Sequence, residues 1–126
     1  MSHTVEIKTN ISNFQLLDKS LENFGWRIVE KTKARTYRND PARETIYDYV
    51  AVNPQDGYDL GINLIDGEYK IYGDFYDSSI AQQLGENLDS LKQRYSFELT
   101  KAYFEEEELE YEINTTDEGI IEFCLN

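Results

Sequence analysis

The sequence is nearly empty of the residues that carry thiol and metal chemistry. Its single cysteine, Cys124, excludes an internal disulfide and any multi-cysteine metal cluster. Its single histidine, His3, excludes the paired-histidine metal motifs. Only two prolines occur, Pro41 and Pro54, so most breaks between elements must come from Gly, Asn and Asp. Long apolar runs are missing too, and nothing approaches the roughly 20 residues needed to cross a bilayer. The opening residues lack the charged-then-apolar pattern of a secretory leader, so a soluble, cytoplasmic protein is expected. Positive charge is scarce: 12 Lys and Arg stand against 25 Asp and Glu, for a net charge of -13. Such a field repels nucleic acid and anionic membrane at long range.

What is present is enough for a core. The 126 residues match one ordinary domain, 1–126, of a size that buries roughly two-thirds of its unfolded surface. Ten Tyr and six Phe supply large burial per side chain, which sets the chain apart from disordered sequences. The scarce cations are also unevenly placed. Arg27, Lys31, Lys33, Arg35, Arg38 and Arg43 hold half of them in one stretch, whereas the chain after Arg43 is overwhelmingly acidic and includes Glu105-Glu106-Glu107-Glu108.

Periodicity orders the elements. Val5, Ile7 and Thr9 alternate with Glu6 and Lys8 as in a strand. Ser12 to Gln15 has the form of a capping box, with Ile11 and Leu16 placed as a hydrophobic staple. Phe14, Leu17, Leu21 and Phe24 repeat at helical spacing until Gly25. Trp26 and Ile28 begin a second strand, and residues 45–52 form a third, rich in β-branched and aromatic types. Asp66-Gly67 then predicts a type I′ hairpin pairing Leu64 with Tyr69, Ile62 with Ile71 and Leu60 with Gly73. That register sends Leu60, Ile62, Leu64, Tyr69 and Ile71 into the core. Ser79 to Gln82 is a second capping box, opening one long helix through Ile80, Leu84, Leu88, Leu91, Tyr95 and Leu99 to about Phe104. Leu109 to Ile113 and Ile121 to Leu125 alternate around Asp117-Glu118-Gly119 as a closing hairpin. The order is β-α-β-β-β-β-α-β-β. It predicts an α+β fold, with a mainly antiparallel sheet and two helices packed on one face.

No phosphate loop, nucleophile elbow or zinc spacing occurs. His3 has the chemistry of a general base or ligand, but either role needs partners, and local packing beside the first strand is the alternative. Cys124 falls opposite the apolar face of its strand, without the basic neighbours that activate a thiolate. Asp56, Asp59, Asp66, Asp74 and Asp77 gather around the hairpin ends, but their spacing is not that of a calcium loop and solvated turn carboxylates explain them. No metal and no cofactor is therefore expected. The basic stretch beside Tyr37 suits phosphate contact with base stacking, or equally an edge strand guarded by charge.

Three strings carry a resemblance. They are Met1-Ser2-His3 with Ile7-Lys8-Thr9, Gly57-Tyr58-Asp59-Leu60-Gly61, and Gln93-Arg94-Tyr95. In this order and spacing the chain resembles the hypothetical chloroplast reading frame thirty-five family, also called domain of unknown function 1257, over essentially its whole length. The resemblance implies a cyanobacterial, plastid or cyanophage origin and a small protein with no assigned reaction, placed in the cytoplasm or plastid stroma. The chain departs from the family where relatives carry a Lys-Gln-Gly-Phe type segment and it carries Glu105 to Glu108. Within these strings His3, Lys8, Asp59 and Arg94 are candidate binding residues, joined by Arg35 and Arg38 of the basic stretch. Alternation turns Asp59 away from the core, and a Lys8–Asp59 proximity on the open sheet face is expected. The function expected is non-enzymatic binding of a protein partner. The alternative is a nucleic-acid-directed protein, contacting RNA through residues 27–43 or mimicking DNA through its carboxylates.

Overall fold

Alternating apolar residues build a five-stranded antiparallel sheet, because each strand can bury one face only if its neighbours keep register. The computed structural model describes residues 4–126, so His3 lies outside the described residues. The strands are β1 (Val5–Ile7), β2 (Arg27–Lys33), β3 (Ile46–Val52), β4 (Leu60–Ile65) and β5 (Glu68–Gly73). They pair antiparallel in the order β1-β5-β4-β3-β2. The fold is α+β, with the helices α1 (Phe14–Asn23), α2 (Ser78–Leu84) and α3 (Asp89–Glu106). Leu17 and Leu21 of α1, Ile80 and Leu84 of α2, and Leu91 and Tyr95 of α3 share one buried cluster with Leu60, Ile62 and Ile71 of the sheet. All three helices therefore cover the same sheet face.

The central hairpin has the expected register, with Leu64 opposite Tyr69 and Ile62 opposite Ile71. Asp66 and Gly67 both have positive φ, as a type I′ turn demands. One of its expected core residues is not buried: Leu64 is 49 % exposed. Phe14 of α1 reaches Tyr69 and Tyr49, so the cover falls on Tyr69, which is buried, and leaves its cross-strand neighbour Leu64 open.

Local signals were displaced in three places. The cap of α1 is Asn13, whose side chain accepts from the Leu16 amide, rather than Ser12. The Ser12 and Asn13 amides instead donate to the Tyr95 hydroxyl of α3, so a tertiary bond takes over the capping-box role. The cap of α2 is likewise Asp77, which accepts from the Ser79 amide. The expected single long helix is two. Gly85, at φ 85°, ends α2, and Asn87 and Leu88 take left-handed conformations before α3 begins. A four-residue apolar repeat continues across this break because Leu84 and Leu88 are both fully buried, so periodicity alone could not reveal it.

The sheet's other face is covered differently. Residues 34–45 leave β2 at one edge and reach the far edge, where the Thr4 hydroxyl beside β1 donates to Asp40 at 2.6 Å. Ala34, Tyr47 and Val50 are buried there, with Val52 and Tyr72 packed against them. The Tyr47 ring lies flat over Gly61, where a Cβ would sit 2.5 Å from the ring carbons.

The last strands, β6 (Tyr111–Thr115) and β7 (Ile121–Leu125), form a separate two-stranded hairpin. It packs on the second half of α3 through Phe97, Phe104, Tyr111 and Phe123, whose rings lie 5.3–5.5 Å apart in successive contacts. No residue of either strand is fully buried.

Candidate functional site

The residues singled out from the sequence fall into four places, and only some meet. Asp59 is the most constrained. It stands just before β4, is 4 % exposed, and is held by four donors. The Arg35 amide and Nε bond its Oδ2 at 2.8 and 3.0 Å, and Arg35 Nη2 and the Asn53 amide bond its Oδ1, both at 2.9 Å. Arg35 Nη2 also donates to the Asn53 carbonyl, and the Asp59 amide donates to the Arg35 carbonyl. This bidentate pair raises the Arg35 pKa above its ordinary value, chiefly through the hydrogen bonds from the guanidinium to Asp59.

The bonds continue inward from Asn53. Its amide group donates to the Tyr58 carbonyl and the Ser79 hydroxyl, and its Oδ1 accepts from Gln83. Gln83 in turn accepts from the Trp26 indole. Asp77 accepts from the Tyr58 amide; burial would raise its carboxyl, but this bond and those from Ser79 hold it below the usual range. A Cβ at Gly57 would meet Asp77, Asn53 and Ser79 within 2.4–2.6 Å, so the backbone approaches as only glycine permits. The string Gly57-Tyr58-Asp59-Leu60-Gly61 is therefore a brace, with each residue spent on packing or a buried bond.

Lys8 and Asp59 are not brought together. Ile7 stands opposite Ile71 and Ile71 opposite Ile62, so Lys8 lies level with Asn63, four residues along β4 from Asp59. At about 3.3 Å per residue that is roughly 13 Å. Asp59 also does not face solvent as alternation predicted, because the end of β2 folds Arg35 over it. Lys8 is exposed.

Arg94 meets neither. Its Nη2 donates at 2.9 Å to Glu98, one turn further along α3, and its guanidinium lies 4.4 Å from the centre of the Phe97 ring. Glu98 is only 2 % exposed and takes Lys19 of α1 at 3.4 Å as well. The expected apolar position Leu99 is exposed instead, since burial along α3 passes from Leu91 and Tyr95 to Glu98.

The basic stretch lines an open groove of about 420 Å³ between β2 and the segment that crosses the sheet, with Arg35, Arg38 and Arg43 on its walls. Much of its charge is already engaged. Arg35 is held by Asp59, Lys33 by Glu44 at 2.6 Å, and Arg43 donates to the Arg38 carbonyl. Among the described residues no three His, Cys, Asp or Glu side chains come together as metal ligands.

The C-terminal arm is the surface that sequence reasoning did not single out. Leu99, Tyr103, Leu109, Ile113, Ile120 and Leu125 are six of the ten large apolar side chains most exposed among the described residues. From Ala102 onward the chain carries nine carboxylates and no Lys or Arg. The sequence hid this: Leu99 and Tyr103 continue the four-residue series of Leu91 and Tyr95, and only the drift of about 40° per step on a helix of about 3.6 residues per turn carries them off the buried face. The arm thus gathers six exposed apolar side chains among nine carboxylates. No family model, no curated protein and no solved structure matches the chain.

Proposed function

We infer that the protein is a non-enzymatic binding module that docks a protein partner on its C-terminal arm. The carrying observation is the concentration of exposed apolar side chains there, six of ten, on the arm's helix end and hairpin. Exposed apolar side chains concentrated in one part of the chain among polar residues support an interaction site. Their charge states the partner's chemistry. Nine carboxylates without a cation select a surface with apolar anchors and surrounding Lys or Arg. The residues first favoured for docking support a folding role instead, since Asp59 and Arg94 are committed to Arg35 and Glu98. We place this activity in a cyanobacterial, phage or plastid setting, in the cytoplasm or stroma, on the family resemblance alone.

The experiment is fluorescence anisotropy with labelled Lys-rich amphipathic peptides, patterned for a helix and for a strand. Binding of at least one is expected, weakened by salt, and weakened about tenfold or more in Ile113→Ser/Leu125→Ser while Arg38→Ala leaves it unchanged. Equal binding by the serine variant would show that bulk charge alone attracts the probe, and would overturn the reading.

A further inference from the structure

The sheet edges of this protein are not equally protected. An unpaired edge offers a row of N–H and C=O groups to any extended chain, and natural edges are blunted by shortness, cations or kinks. β1 has three residues. β2 carries Arg27, Lys31 and Lys33, and Lys31 sits at φ 45°, which breaks the regular edge. The β6–β7 hairpin has neither device. Its strands are five residues each, without Lys, Arg or Pro and without a positive φ inside either strand.

We propose that the partner adds to this hairpin as a third strand, an extended segment in which apolar side chains alternate with Lys or Arg. The proposal rests on the docking reading above and names its recognition mode. Tyr111, Ile113 and Thr115 stand opposite Leu125, Phe123 and Ile121, so one side of the ribbon is nearly all apolar. Phe123 and Tyr111 contact α3, whereas Ile113 and Leu125 on the same side remain 43 % and 62 % exposed. The helix thus covers part of a surface that a third strand would extend. The other side carries Glu112 opposite Cys124 and Asn114 opposite Glu122. An incoming Lys or Arg at alternate positions meets these carboxylates while its apolar neighbours join Ile113 and Leu125.

Two further features select this occupant. A two-stranded ribbon is marginal by itself, and a third strand supplies the cover it lacks. A second copy would bring its own Glu112 and Glu122 to a side that already carries them, and like charges brought close on one sheet face are destabilising. The acidic side therefore disfavours self-pairing and favours a basic strand.

The test uses the full chain and a short peptide of alternating Lys and Val, with an otherwise identical peptide N-methylated at alternate backbone nitrogens. Binding is followed by anisotropy and by hydrogen exchange of residues 111–125. Strand addition predicts slowed exchange in the hairpin and at least about tenfold weaker binding of the N-methylated peptide, since it loses several backbone bonds. It also predicts that Glu112→Lys/Glu122→Lys loses the basic peptide and gains its Glu–Val counterpart. Equal affinity for the two Lys–Val peptides, with binding still lost in Ile113→Ser/Leu125→Ser, overturns strand addition and leaves the docking face standing. Binding indifferent to those serine substitutions overturns both.

Discussion

Removing the Asp59 carboxylate should be among the most costly single changes in the protein. Asp59→Ala deletes the acceptor for two backbone amides, of Arg35 and Asn53, and for two guanidinium nitrogens. The two contributions differ in weight. Asn53 is buried, so its amide has no ready access to water. A buried donor left without a partner costs about 1–3 kcal/mol, and the Arg35 amide, on an exposed residue, adds a smaller share. The Arg35 side chain is 46 % exposed, so its guanidinium regains water and this half of the pair adds little. A loss of about 2–4 kcal/mol is therefore expected, carried by the unpaired amides and not by a stranded charge, since the remaining guanidinium is half exposed. Arg35→Ala should cost less, about 1–2 kcal/mol, because the Asp59 carboxylate keeps both amides. Urea denaturation of the two single variants and the double variant measures both and their coupling. An Asp59→Ala loss below about 1 kcal/mol, or one no larger than that of Arg35→Ala, would refute the reasoning.

Other expectations separate packing from backbone conformation. Gly61→Ala should destabilise more than Gly67→Ala, since its new Cβ would sit 2.5 Å from the Tyr47 ring while Gly67 has open space and only a positive φ to disfavour the change; thermal melts rank the two, with about 1–2 kcal/mol expected for Gly67. Ile62→Ala should cost about 2–5 kcal/mol by chemical denaturation, and Leu64→Ala well under that, because Ile62 is fully buried and Leu64 is half exposed. For Asp40, burial would raise the carboxyl, but bonds from Thr4, Ala42 and Thr36 outweigh it and lower the pKa. A lowered folded pKa contributes stability that is present above the ordinary carboxylate value near 4 and is lost as pH falls through the folded value. Asp40→Asn should therefore flatten the acid limb of the stability profile, read by circular dichroism between about pH 5 and pH 2.

How much of this was legible from the sequence follows from the range of each interaction. The central hairpin was readable to the residue because Asp66-Gly67 sets the register locally and Ile62 and Ile71 follow from alternation. The break at Gly85 was not, since Leu84 and Leu88 keep helical spacing on both sides of it. Ser12 looked like a cap on local grounds, yet its amide belongs to Tyr95, 83 residues away in the chain. The candidate site suffered most from this limit. Asp59 was expected to be free and is enclosed because Arg35, 24 residues earlier, folds over it. The separation of the closing hairpin from the main sheet was equally hidden: its alternation was visible, but not the absence of a strand beside it.

Two of the strings that carry the family resemblance, Gly57 to Gly61 and Gln93 to Tyr95, are accounted for by folding. Gly57 admits Asp77 and Asn53, Asp59 ties two loops, Gly61 seats Tyr47, Arg94 pairs with Glu98, and Tyr95 receives the start of α1. A charged residue with a buried partner is held in place by stability alone, so it gives no independent evidence of a ligand. The C-terminal arm is the reverse case. Glu105 through Glu108 are exposed, and of the four only Glu105 has a side-chain partner among the described residues, the Tyr111 hydroxyl at 3.3 Å. Like charges packed on consecutive residues at a helix C-terminus also oppose its dipole, so this run weakens the end of α3 where it stands. Surface that costs stability and leaves apolar side chains uncovered is where a partner can recover both terms, and this separates the arm from the braced strings as the place to look for function.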